Sequence, residues 1–305
     1  MLIAHVERYL ALRQKLGFKL FLTSRHLRAF ARFAVEEDGA YIRAATAVAW
    51  ATKATTRGMR HRRLGDVVRL ARFLHAEDSS HEVPPANLFA ATETRPTPYI
   101  YTTEELARIV QAAGQLDLQE PTTQRRQTYV MLFGLIAATG LRVSEAFNLR
   151  LEDLLPGGVL RVSDTKFGKS RLLPLHKSVI AALNQYLEMR RRSAETDDHV
   201  FLSLKGRRLS YTTVNTAFRR ILSRAGIAPG RTRPPRIHDL RHSFATRVLE
   251  QCATRSEPVA RHFVALSTYM GHTDAAHTYW YFQATPELMT HIAAAGEASF
   301  SGSVS

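Results

Sequence analysis

Apolar side chains recur at helical spacing through almost all of the first 95 residues. Residues 2–16 and 24–38 each carry such a stripe, the second opening after Ser24 and stopping at Gly39. An Ala-rich run over 44–54 predicts a third helix. A fourth, from about Arg60 to Ala76, turns Leu64, Val67, Val68, Ala71 and Leu74 inward. Its other face carries Arg62, Arg63, Arg69 and Arg72. Such a row suits a polyanion backbone, and an ordinary solvated helix surface reads the same way. Periodicity then stops at Pro84-Pro85 and Arg95-Pro96-Thr97-Pro98, a semi-extended linker by composition.

Beyond the linker, Thr102-Thr103-Glu104-Glu105 predicts a helix start with acidic residues in its first turn. An apolar helix near 126–139 ends at Thr139-Gly140. Residues 151–175 change character, with short β-like runs split by Pro156-Gly157-Gly158 and Phe167-Gly168-Lys169. They predict a small antiparallel sheet of two or three strands. Helices resume near 177–192, 211–225, 238–250, 258–270 and 286–295, the last with Thr285 as N-cap and Pro286 in its first turn. The expected fold is mainly α, with a helical domain over 1–95, a linker over 96–101, a mostly helical domain with a small sheet over 102–298, and a disordered tail over 299–305. No internal repeat is visible.

Charge narrows the partner. Lys+Arg of 42 against Asp+Glu of 27 leave +15, and the excess is spread evenly. Residues 1–95 hold 16 basic and 9 acidic residues, and 96–305 hold 26 and 18. Both domains therefore suit a polyanion, DNA before others, because phosphate contacts draw on distributed Lys and Arg. Cys252, the only cysteine, excludes an intrachain disulfide and a cysteine-built metal site, and reads as a small core filler. No apolar run approaches a membrane span and no signal-peptide core opens the chain, so the expectation is a cytoplasmic, nucleoid-associated protein.

The chemistry concentrates in R-I-H-D-L-R-H-S-F-A-T-R, which sets His238 three residues before Arg241 on one helical face. Arg142 in A-T-G-L-R-V-S-E and a late G-H-x8-Y from His272 to Tyr281 complete a set. Two arginines, two histidines and a tyrosine suit attack of a phenol on a phosphodiester, with no metal needed. Guanidinium forks match non-bridging phosphate oxygens and stay charged at any working pH. His238 and His242 stand four apart, yet no third ligand with metal-site spacing accompanies them. Asp239 is accounted for by the helix dipole, His242 by packing or capping, and Glu145 as a structural partner for a nearby basic group.

These segments resemble the tyrosine recombinases, the phage-integrase family. A-T-G-L-R-V-S-E, T-K-F-G-K-S-R-L-L-P-L, H-D-L-R-H-S-F-A-T and G-H-T-D-A-A-H-T-Y-W-Y occur in the family's order. The resemblance implies a core-binding domain followed by a catalytic domain, acting on double-stranded DNA at a specific site as a homotetramer on two sites, alone or with other recombinases. It implies cleavage through a 3′-phosphotyrosine, without metal or cofactor, in DNA integration or transposition. The compact layout and the H-T-Y-W-Y ending favour a mobile-element enzyme over a dimer resolvase. A type IB topoisomerase, a non-catalytic DNA-binding relative and, with no carboxylate cluster to support it, a metal-dependent nuclease are the remaining rivals.

The resemblance assigns Arg142 and Arg241 to the phosphate, His238 to proton transfer at the tyrosine or to the phosphate, and His272 to a non-bridging oxygen. Lys166 becomes the general acid for the leaving 5′-oxygen, with Lys169 as its rival or a backbone contact. Tyr281 becomes the nucleophile by its spacing from His272. Tyr279 is its competitor, about 200° away on a helix. The C-terminal helix 286–295 would dock on a neighbouring protomer or pack on its own domain. One departure stands out: the stretch from Arg241 to His272 is several residues longer than usual, with the surplus expected in a loop near Arg255-Ser256-Glu257-Pro258.

Overall fold

Each apolar stripe read near the N-terminus becomes one helix: α1 (Leu2–Lys15), α2 (Phe21–Glu36), α3 (Ala44–Thr52) and α4 (Arg57–His75). The computed structural model describes residues 1–37, 39–89, 97–116, 123–163, 170–192, 197–254 and 259–271. By its internal contacts the chain divides into two units, Met1–Pro96 and Thr97–Ser305.

In the first unit, Leu10, Leu27, Phe30, Leu64, Val67 and Leu74 meet in one core. α4 begins earlier than its apolar pattern because Thr56 caps it, Oγ1 accepting the Met59 N–H at 3.2 Å. α2 also begins earlier than expected, at Phe21, and Ser24 is not its cap. The Ser24 N–H already makes a helical bond to the Leu20 carbonyl at 2.7 Å, and its hydroxyl donates to the Phe21 carbonyl at 3.0 Å. The stop is set by Gly39, whose N–H reaches the Ala34 carbonyl at 2.9 Å and where a Cβ would lie 2.8 Å from that oxygen. Beneath the surface, His26 Nδ1 pairs with Asp66 at 2.7 Å, and Thr23 donates to the same carboxylate at 3.1 Å.

The second unit holds α5 (Thr103–Gly114), α6 (Thr123–Thr139), α7 (Val143–Asn148), a 3-10 turn Leu151–Asp153, and strands β1 (Leu154–Leu155), β2 (Val159–Val162) and β3 (Arg171–Pro174). Helices α8 (Lys177–Arg191), α9 (Tyr211–Arg224), α10 (Ile237–Thr254) and α11 (Val259–Met270) follow. The expected start at Thr102 is present as a full capping box: Thr102 accepts from the Glu105 N–H and Glu105 accepts from the Thr102 N–H. α6 is apolar on most sides, with Leu132, Phe133, Leu135 and Ile136 buried, and it packs against α5, α8 and α10. The sheet is antiparallel in the order β1-β2-β3, with Leu160 opposite Leu173 and Val162 opposite Arg171. The fold is thus mainly α with a small antiparallel sheet, as the sequence predicts. α10 runs one turn further than predicted.

The segment read as linker contributes to the second core. Tyr101 is buried, its N–H donating to Ser243 Oγ at 2.8 Å and its hydroxyl to the Arg236 carbonyl at 3.3 Å. Linker residues 90–96, the loop expected at 255–258, the helix expected at 286–295, the tail and the Cys252 side chain lie outside the described residues. Among the described residues, no helix is long and apolar enough to cross a membrane.

Candidate active site

The site grows from four helix ends. α6 stops at Thr139, and Gly140 turns the chain with φ +64°, a conformation that side chains resist. A Cβ there would lie 2.5 Å from the Phe244 ring of α10, so the close crossing of α6 and α10 also demands glycine. The turn buries Leu141 and delivers Arg142 to the N-terminus of α7. Arg142 is fixed on both sides: Nη1 donates to Glu145 Oε1 at 2.7 Å and Nη2 to the Gly271 carbonyl at 2.9 Å. Its backbone N–H donates to Glu145 Oε2 at 2.9 Å.

α10 supplies the second arginine. Asp239 closes the first turn by accepting from the Arg236 backbone and side chain, each at 2.8 Å, so an ion pair adds to the helix dipole. Arg241, only 1% exposed, donates to the Gly140 carbonyl and, at 2.8 Å, to the Met270 carbonyl. His238 meets the His242 ring edge-on at 4.8 Å between centroids, so His242 packs. His238 is exposed to solvent as a residue. Even so, the surrounding protein and then the Arg241 charge push its imidazole down to about 4. At neutral pH this histidine is uncharged and keeps one ring nitrogen as an acceptor.

The C-terminal turn of α11 joins these parts. Its last carbonyls lack helical partners, and a helix C-terminus favours cations. Tyr269, Met270 and Gly271 present three successive carbonyls, taken by Arg171 at 2.8 Å, Arg241 at 2.8 Å and Arg142 at 2.9 Å. Gly271 has φ +66°, and a Cβ there would stand 2.8 Å from Arg171 Nη1. Arg171 also grips both oxygens of Glu145, at 3.0 and 2.8 Å. Burial alone would raise the Glu145 carboxyl. The Arg171 fork and the Arg142 amide and guanidinium outweigh it and hold the group at about 2.

Of the residues singled out in the sequence, Arg142, His238 and Arg241 are described and lie together at this junction. Lys166, Lys169, His272 and Tyr281, with the rival Tyr279, lie outside the described residues. Arg171 belongs to the T-K-F-G-K-S-R-L-L-P-L segment, where the resemblance assigns it no role. Its signal is strand alternation: Arg171 shares a face with the buried Leu173 while Leu172 is 62% exposed, and a charge on the inward face calls for a partner. On α4, Arg62, Arg69 and Arg72 are exposed, whereas Arg63 is half-buried with its guanidinium over Trp50 at 5.1 Å. Arg63 therefore faces the core, and Arg69 is paired with Asp66.

Among the described residues, Asp197, Asp198 and His199 stand close enough to share a metal ion. Their groups are already engaged: Arg150 bonds Asp198 at 2.6 Å, and the His199 ring bonds Asp197 at 2.6 Å. Arg150 and His199 also pair through their backbones as an isolated antiparallel bridge, so the cluster reads as a structural one.

Comparison with known proteins agrees with this geometry. The sequence model of the phage integrase family matches residues 100–287. The chain is 37% identical over 292 residues to a Sinorhizobium fredii protein named as an integrase/recombinase, y4rB, with 93% of each chain covered. It is 30% identical over 236 residues to tyrosine recombinase XerD of Proteus mirabilis, covering 76% of this chain and 67% of that one. Among solved structures, XerH recombinase in a post-cleavage complex with its difH substrate aligns at TM-score 0.65 and 18% identity, covering 90% of this chain and 78% of that one. The Tn1549 transposon integrase in complex with circular intermediate DNA aligns at TM-score 0.64 and 17% identity, covering 92% and 94%. The chain belongs to the phage integrase family, and it is an enzyme of the tyrosine recombinase type.

Proposed function

We propose that this enzyme is a site-specific DNA recombinase that cuts and rejoins strands through a 3′-phosphotyrosine, in DNA integration or transposition. One observation carries the reading. Arg142 and Arg241, from different helices, are both tied to the last turn of α11, whose end leads in sequence into His272 and on to Tyr281. Fixed guanidiniums stabilise charge that builds on a phosphate without reorganising during the reaction.

In this reading the Tyr281 oxygen attacks phosphorus, the bond to the 5′-oxygen breaks, and a phosphotyrosine bond replaces it. A phenol with pKa near 10 has to lose its proton, and the uncharged His238 has a nitrogen to accept it. His272 bonds a non-bridging oxygen, and Lys166 protonates the leaving 5′-oxygen, with Lys169 beside it. A 5′-hydroxyl from another strand then attacks the phosphotyrosine, so no high-energy cofactor is consumed. Residues 1–95 form a core-binding domain whose exposed Arg62, Arg69 and Arg72 meet phosphates, and four protomers act on two duplex sites in the cytoplasm. Similarity to XerD keeps dimer resolution as the second biological role for the same chemistry.

The test is a nicked suicide DNA carrying a site recovered from sequence flanking the gene, incubated in chelator and run on a denaturing gel. A covalent adduct that disappears in Tyr281→Phe is expected. An adduct that persists in Tyr281→Phe and disappears in Tyr279→Phe would overturn the nucleophile. Absence of adduct despite tight binding would overturn the cleavage chemistry.

A further inference from the structure

Arg171 is the residue at this junction that the proposed chemistry leaves without a task. It opens β3 with its side chain only 11% exposed, gripping both oxygens of Glu145 with Nη1 and Nη2 and the Tyr269 carbonyl with its Nε. Glu145 uses the same two oxygens for Arg142. Two guanidiniums thus share one carboxylate, and the group of three keeps one positive charge. Arg171 and Glu145 are nearly closed off, while Arg142 leaves 30% of its side chain open. The surplus charge therefore faces outward through Arg142.

A carboxylate facing Arg142 alone would do the opposite. A one-to-one pair in a shielded site cancels most of the field that a phosphate would feel, because little solvent intervenes. We propose that Arg171 is a positioning residue for strand cleavage: it holds Glu145 and balances its charge, so that Glu145 orients Arg142 without neutralising what Arg142 offers the scissile phosphate. This rests on the reading of Arg142 as a phosphate clamp. It also gives Gly271 a reason beyond its turn, since any Cβ there would press on the Arg171 fork.

The test compares Arg171→Met, Arg171→Lys and the double variant Arg171→Met/Glu145→Gln in single-turnover cleavage of the suicide DNA. DNA affinity and thermal melting are measured beside it. Arg171→Met is expected to slow cleavage about 10²–10³-fold, the size of losing one preorganised donor to a developing anion. DNA affinity should change much less. Arg171→Lys keeps the balancing charge but not the fork, and should stay within roughly tenfold of the parent. The double variant should recover about tenfold or more over Arg171→Met, because removing the carboxylate charge frees Arg142 again.

A merely structural Arg171 gives the reverse pattern: the double variant is as slow as the single or slower, and that result overturns the proposal. Should Arg171→Met fail to melt cooperatively, Arg171→Lys decides. A folded, DNA-binding Arg171→Lys with hundredfold-slowed cleavage, about 10², overturns it as well. A second readout needs no cleavage. Inorganic phosphate titrated into 15N-arginine-labelled protein should move the Arg142 Nε–H signal, with about tenfold weaker affinity in a folded Arg171 variant. If the wild type forms no Tyr281-dependent adduct but this difference appears, the cleavage reading fails, while Arg171 still tunes Arg142 toward phosphate. Equal phosphate responses with an active wild type sink the Arg171 role alone.

Discussion

The arginines of α4 and the arginines at the end of α11 are the same side chain held in two different ways. Arg62 and Arg72 stand in solvent on a helix face, free to sample rotamers until something orders them. Arg241 is buried, and Arg142 and Arg171 are held between a shared carboxylate and backbone carbonyls. A carbonyl is a dipole rather than a charge, so it fixes a guanidinium without cancelling it. The ordering cost of such a side chain, about 2 kcal/mol of rotamer freedom, is met during folding and not during the reaction. The first arrangement suits affinity that fades with salt; the second suits a transition state.

The sharpest way to break this comparison is to shorten a buried arginine. Arg241→Ala is expected to lower single-turnover cleavage about 10²–10³-fold or more while leaving DNA affinity nearly intact. A loss confined to affinity would make it an ordinary phosphate contact. Next comes the turn that lets α10 approach: Gly140→Ala forces a side chain into φ +64° and against Phe244. It should destabilise the protein by about 1–3 kcal/mol, read from denaturant melts.

Acid probes the same junction. Glu145 sits at about 2 when folded against an ordinary 4.5, so its stabilising contribution is present above pH 4.5 and is lost as pH falls toward 2. His238, at about 4 against 6.5, contributes stability that is present above pH 6.5 and declines as pH falls through 4. Glu145→Gln should flatten the lower window and His238→Gln the upper one in melting curves taken across pH. The smallest effect belongs to the surface. Arg62→Ala or Arg72→Ala should weaken DNA binding only severalfold, shrink the salt dependence by about one ion each, and leave the cleavage rate at saturation unchanged.

Much of this was visible in the sequence where local rules suffice. The stripe of Leu64, Val67, Val68, Ala71 and Leu74 is buried as read, Thr102 caps its helix, and β1 and β2 flank the turn at Gly157-Gly158. The pairing of His238 with Arg241 was legible because both sit on one helix, and that of either with Arg142 only through the motif resemblance. What escaped depends on contacts far apart in sequence. Arg171 meets Glu145 across 26 positions and Tyr101 meets Ser243 across 142; strand alternation calls for a partner to Arg171, but nothing local names which one. Ser24 misled because a serine before an apolar run looks like a cap, while here its hydroxyl bonds back within the helix. Arg63 was grouped by charge with its neighbours although its position turns it onto Trp50.

Helix ends ordinarily open and close on their own, and amide exchange there reports little about the rest of a protein. The last turn of α11 has no such independence. Its Tyr269 and Met270 carbonyls and that of the next residue, Gly271, are gripped by Arg171 of β3, Arg241 of α10 and Arg142 at the N-cap of α7, so letting that turn fray means releasing three side chains at once. Deuterium uptake at the end of α11 should therefore rise and fall with that of α7 and the start of α10, as one cooperative unit. A helix terminus has become a latch, and the stability of the clamp can be read from the exchange of a single turn.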